Sequence, residues 1–147
     1  MKSKLMMLYM AVMGGLLLTA CNNELDITQS FPFVVETMPV PKEVKAGDTV
    51  EIRCTLKSEG DFSGTVYTVR YFQYDGEGVL HMGRDGEPFV PNDRYPVEKG
   101  NFRLYYTSQS TESQSLEIVF EDNHGQSQVL ELDFNNKRDD SFPANTE

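Results

Sequence analysis

From Thr49 to Lys57, apolar and polar residues alternate without a break. Val50, Ile52, Cys54 and Leu56 point one way; Glu51, Arg53, Thr55 and Lys57 point the other. A period of two is that of a β-strand with one dry and one wet face. The dry face has to be covered by other elements, and the remaining chain offers further strands to do it. Phe31, Phe33 and Val35 share one side of a strand over 31–36. Three more alternating runs close the series: Phe102, Leu104 and Tyr106; Leu116, Ile118 and Phe120; Leu130, Leu132 and Phe134. Turn-forming residues separate them, notably Gly47-Asp48 and the stretch from Asp122 to Gln126. No helical periodicity of useful length interrupts the pattern.

The stretch 65–74 is different, because both of its faces are partly apolar. Tyr67, Val69 and Tyr71 lie on one side, and Val66, Thr68, Arg70, Phe72 and Tyr74 on the other. That is the pattern of a central strand covered on one side and partly wet on the other. Residues 75–99 are looser, with Asp-Gly pairs and prolines at 88, 91 and 96. Short edge strands over 79–82 and 88–90 are expected within a long loop. About seven short strands in about 105 residues predict an all-β fold, an immunoglobulin-like antiparallel β-sandwich.

Ahead of this domain, Lys2 and Lys4 precede an apolar run from Leu5 to Leu18, which ends in Leu18-Thr19-Ala20-Cys21. About 14 apolar positions are short for a bilayer span, which needs about 20. They suit a secretory signal, and the small residues before Cys21 form a lipobox. The expected organisation is a lipoprotein signal at 1–20, a short tether at 21–30, a sandwich domain at 31–135 and a disordered tail at 136–147. Cys21 would carry the lipid, anchoring the chain without spanning the membrane. A tether of nine extended residues after Cys21 reaches at most about 30 Å, which keeps the domain close to the membrane. The expected location is the cell envelope, at the outer membrane.

Removing the signal takes Lys2 and Lys4 from the 13 basic residues and none of the 23 acidic ones, leaving a formal charge of −12. Nucleic-acid binding is excluded as a role, since it depends on Lys and Arg displacing counterions. Cys54 is then the one remaining thiol. Its position in the alternating strand predicts burial and not reactivity.

The chemistry of an enzyme is missing from the sequence. His81 and His124 have no neighbouring ligand partner. The Ser-rich stretch 108–115 lacks an activating base and reads as a solvated connection. Acids at Asp75/Glu77, Asp85/Glu87 and Asp122 lack the spacing of a calcium loop. No metal site, cofactor or catalytic residue is therefore assigned.

Sandwich topology does suggest a working surface. Strands 65–74, 115–121 and 127–135 should lie side by side in one sheet. If Leu116, Ile118, Leu130 and Leu132 face the core, Val119 and Val129 face out. With Tyr67, Val69 and Tyr71 also inward, Phe72 and Tyr74 join them, and Arg70, Glu117, Glu131 and Asp133 form a charged rim. Arg70, Phe72, Tyr74, Val119 and Val129 make up the candidate protein-binding face. A reversed register in 65–74, or a loop over the patch, would place these rings in the core instead.

Several runs carry a family likeness. Glu-Leu-Asp-Ile at 24–27, Phe-Pro-Phe at 31–33, Glu-Thr-Met-Pro-Val-Pro at 36–41, Glu-Ile-Arg-Cys at 51–54, Arg-Tyr-Phe-Gln at 70–73, Pro-Asn-Asp-Arg-Tyr-Pro at 91–96, Phe-Arg-Leu-Tyr-Tyr-Thr at 102–107 and Phe-Glu-Asp-Asn at 120–123 are the main ones. Together they resemble the TraQ family of conjugative-transposon lipoproteins from Bacteroides-type bacteria, over about residues 24–136. The resemblance implies a gene carried with a transfer operon, an envelope lipoprotein and a β-sandwich, but it assigns no functional residues. Two roles follow. The first is a non-enzymatic accessory or docking component of a conjugative transfer apparatus, with envelope proteins as partners. The alternative is a surface binder of calcium or a glycan, using the 75–99 loop and its aromatics Tyr74, Phe89 and Tyr95.

Overall fold

Strands that each have one apolar face are stable when two sheets turn those faces together, and this is what the chain does. The computed structural model describes residues 30–138. The apolar segment, Cys21, the tether up to residue 29 and the tail from 139 lie outside the described residues.

Among the described residues nine strands follow in order: β1 (Phe33–Thr37), β2 (Glu43–Val44), β3 (Thr49–Ser58), β4 (Tyr67–Asp75), β5 (Gly78–Met82), β6 (Tyr95–Val97), β7 (Gly100–Ser108), β8 (Gln114–Asp122) and β9 (Ser127–Asn136). One sheet has the order β1-β3-β7-β5 and the other β2-β9-β8-β4-β6. The first matches the A-B-E-D sheet of an immunoglobulin domain, and β9-β8-β4 matches its G-F-C sheet. The all-β sandwich expected from the sequence is the observed fold.

Two strands escaped the periodicity. β2 is two residues long and pairs in parallel with the end of β9, Glu43 with Asn135 and Val44 with Asn136, so the sandwich is not purely antiparallel. β6 has three residues, including Pro96, and lies at the edge of its sheet beside β4, where proline is tolerated. The strand expected over 88–90 is reduced to a single bridge between Pro88 and His81. Residues 75–99 thus form part of the wall of the domain and not an open loop.

The predicted inward residues make the core. Ile52, Cys54, Leu56, Val69, Tyr71, Leu104, Tyr106, Leu116, Ile118, Phe120 and Phe134 are all buried. Each large apolar side chain removed from water contributes about 1.5–3 kcal/mol. Phe102 meets Phe120 edge-on at 5.8 Å, and Tyr106 stacks on Phe134 at 5.6 Å. Burial pushes the Cys54 thiol up to about 12, which keeps it protonated and unreactive.

At one end the core is polar. The Tyr106 hydroxyl donates to Gln114 Oε1 at 2.6 Å, and the Gln114 amide donates to Ser108 Oγ at 2.7 Å. Gly78 makes this possible, because a Cβ there would stand 2.2 Å from the Tyr106 hydroxyl. The stretch 108–115 expected to be a solvated connection is therefore buried at both ends, at Ser108 and Gln114. Its side chains satisfy each other, as buried polar groups must.

Candidate protein-binding face

β4, β8 and β9 lie side by side, and their register defines the outer face of the five-stranded sheet. One row across the strands is Thr68, Glu121 and Ser127. The next is Arg70, Val119 and Val129, and the third is Phe72, Glu117 and Glu131. Beyond them Ser115 stands opposite Asp133. Tyr67, Val69 and Tyr71 point inward, so Arg70 and Phe72 point outward.

A bulge between Gln73 and Asp75 inserts Tyr74, and bulges re-aim side chains. The Tyr74 ring stacks on Phe72 at 6.4 Å, and the Arg70 guanidinium lies 5.3 Å from the Phe72 ring centre. Arg70, Phe72 and Tyr74 thus form a ladder along β4. Tyr74 is 63% exposed and Val129 54% exposed, while Phe72 is half-buried.

Val119 is not part of this exposed surface. It faces outward, as strand alternation required, but it is only 6% exposed. It sits in the middle row of the sheet, between Arg70 and Val129, and Glu121, further along the same face of β8, binds two guanidinium groups. Arg70 donates through Nη2 to Glu121 Oε1 at 2.7 Å, and Arg94 donates through Nε to Glu121 Oε2 at 2.9 Å. Arg70 Nη1 also reaches Asn92 Oδ1 at 3.1 Å. Val119 is therefore buried at the centre of this face and contributes little to its exposed surface.

Glu121, Arg94 and Asn92 were not singled out from the sequence, although one signal for them was present. Pro91-Asn92 is the central pair of a type II turn, which favours Pro and then a residue with positive φ. Asn92 has φ 69°, and Asp93 N–H bonds to the Val90 carbonyl at 3.1 Å. The Asn92 N–H bonds to the Tyr71 carbonyl at 2.9 Å. The turn is thereby pinned to β4 and presents the Asn92 amide to Arg70.

The aromatics of the 75–99 stretch divide. Phe89 is 7% exposed and stacks on Tyr95 at 3.9 Å, and the Tyr95 hydroxyl accepts the Val90 N–H at 2.7 Å. Phe89 thus belongs to the wall of the sandwich, with the half-buried Tyr95 stacked on it, while the Tyr74 ring stacks on Phe72 instead. Asp122, one of the acids considered for calcium, accepts the His124 and Gln126 N–H groups at 2.9 and 2.8 Å. Its role is to cap the β8–β9 turn. No group of three or more His, Cys, Asp or Glu side chains gathers at metal-binding distance among the described residues.

The chain matches the TraQ conjugal transfer protein family over residues 4–137. It belongs to that family. The match begins well before residue 24 and takes in the apolar segment, which the sequence resemblance had left out. Three solved structures are similar to this TraQ family member. A conjugative transposon lipoprotein from Bacteroides eggerthii is 59% identical with a TM-score of 0.66, over 73% of this chain and 100% of that one. A lipoprotein from Bacteroides thetaiotaomicron is 47% identical with a TM-score of 0.66, over 86% and 98%. A conjugate transposon protein from Bacteroides vulgatus is 50% identical with a TM-score of 0.63, over 84% and 99%. No curated protein matches. No helix among the described residues is long and apolar enough to cross a membrane.

Proposed function

We propose that this TraQ family member is a non-enzymatic docking component of a conjugative transfer apparatus. It is held at the outer membrane by a lipid on Cys21 and binds an envelope protein through the outer face of β4, β8 and β9. The observation that carries the reading is the Phe72–Tyr74 stack on β4, on the same outer face as the exposed Val129 of β9, with β8 between them. These are aromatic and apolar groups held at the surface by a rigid sheet and rimmed by charge. Patches of that composition mark protein interfaces. The family supplies the transfer context, and the names of the Bacteroides eggerthii and Bacteroides thetaiotaomicron relatives support the lipid anchor.

The test combines two variants in cells that carry the conjugative element. Cys21→Ser should leave the protein unlabelled by palmitate and lost from the membrane fraction. The double variant Phe72→Ala, Tyr74→Ala should keep its membrane location and a thermal midpoint within about 4 °C of the parent, while transfer frequency falls. Unchanged transfer in the double variant would refute the docking face, and a collapsed midpoint would return the two rings to the core.

A further inference from the structure

We infer that the partner on this face is a cationic protein segment, one that extends the Arg70–Phe72–Tyr74 ladder and neutralises Glu117, Glu131 and Asp133. The inference rests on the docking reading and adds the chemistry of what docks.

The register carries the argument. Glu117 is directly opposite Glu131 on the same side of the sheet, with Phe72 as its other cross-strand neighbour. Like charges in directly opposed positions destabilise an antiparallel pair. Asp133 follows on the same face of β9, and a shallow depression at that end is bordered by Asp75, Glu112 and Asp133. Among the described residues, Glu117, Glu131 and Asp133 take part in no ion pair. The cations of this face, Arg70 and Arg94, are both engaged by Glu121. The face therefore has its positive charge occupied and its negative charge open, and the open part lies beside the exposed Tyr74 ring.

The free domain gains nothing from that arrangement, whereas a cationic partner removes the repulsion as it covers the rings. The ladder points to the same chemistry. A guanidinium already lies against Phe72 at one end, and the exposed Tyr74 ring at the other end can take a second from the partner. The formal charge of −10 on the whole chain draws such a segment in at long range. It disfavours an anionic lipid surface as the occupant.

The experiment uses the full-length lipoprotein in cells carrying the conjugative element, with a benzophenone amino acid in place of Tyr74 or Val129. Irradiation should yield an adduct whose mapped partner peptide has Lys or Arg flanking apolar residues. In the Glu117→Gln, Glu131→Gln background the adduct should fall roughly fivefold, as expected for lost charge complementarity. The thermal midpoint of the purified lipoprotein should stay level or rise, which a merely structural role for these acids would not allow. An acidic or uncharged partner peptide, or an adduct indifferent to the two substitutions, overturns the cationic assignment and leaves docking intact. An adduct to a second copy or to lipid overturns it in favour of that occupant. No adduct at either position overturns both readings.

Discussion

The two outer faces of the sandwich treat their charges differently. On the four-stranded sheet every acid of the outer face has a cation. Glu51 accepts from Arg53 at 2.7 Å and lies 3.4 Å from Arg103, and Glu36 pairs with Lys57 at 2.6 Å. Thr49 bonds across to Thr107, Thr55 to Asn101, and His81 stacks on Tyr105. The five-stranded sheet behaves this way only at the Glu121 end. At the other end, acids stand opposite acids beside exposed rings. One fold thus carries a face that is complete in itself and a face that is complete only in part. The incomplete part is where a partner has something to add.

The sharpest way to break this comparison is to show that the complete face is not rigid. Cys54 lies directly beneath it, on the inner side of β3. If the four-stranded sheet is closed, a thiol reagent reaches Cys54 only when the domain opens. Labelling should then be slowed by about a thousandfold or more relative to the denatured chain. The raised thiol value also means that any thiolate gained at high pH works against the fold. Stability from the neutral thiol is fully present below its ordinary value of 9.0 and is lost as pH rises towards about 12. Labelling of the native protein at the unfolded rate would refute the inward assignment of β3.

The next largest effect belongs to the join between the complete and incomplete regions of the five-stranded sheet. Glu121→Ala removes the acceptor of both Arg70 and Arg94. The Arg70 and Glu121 side chains are 22% and 19% exposed, and Arg70 Nε is already buried without a partner. Leaving that guanidinium with Asn92 Oδ1 as its remaining side-chain partner should cost about 2 kcal/mol, less than for a fully buried pair because water still reaches it. Denaturant unfolding measures this directly. A loss near zero would mean that the arginine cluster is no more structural than the open acids.

This join also shows what was legible in the sequence. Alternation in 65–74 put Phe72 and Tyr74 on one face and Tyr67, Val69 and Tyr71 on the other but left open which face was wet, and the burial of Tyr67, Val69 and Tyr71 decides it. Alternation could not show that Val119 would be covered. Nor could it show the Arg94–Glu121 pair, which joins a turn to β8 across more than twenty residues of sequence with no local periodicity. β2 and β6 were missed for a related reason. Two and three residues cannot display a period, and both strands exist because longer neighbours, β9 and β4, offer them an edge. The polar network of Tyr106, Gln114 and Ser108 was hidden because serine and glutamine in a polar run look like solvated loop until the sheets bring them together.

The smallest effect is the most direct test of the comparison, because its sign differs between the two faces. Glu51→Gln removes a carboxylate that the Arg53 hydrogen bond holds below its ordinary value of 4.5, with Arg103 acting in the same direction. A lowered value means the folded state favours the charged form, so the stabilisation exists above 4.5 and fades as pH falls through the lowered value. Glu51→Gln should therefore lower the thermal midpoint slightly at about pH 7 and converge with the parent as pH falls below the lowered value. Glu117→Gln at neutral pH should do the reverse and leave the midpoint level or slightly raised, because it removes one member of the opposed Glu117–Glu131 pair. The pair of measurements is small but internally controlled, since both changes are Glu to Gln on outward positions of the same domain. If both variants lose stability alike, the open acids have partners after all, and the difference between the faces disappears.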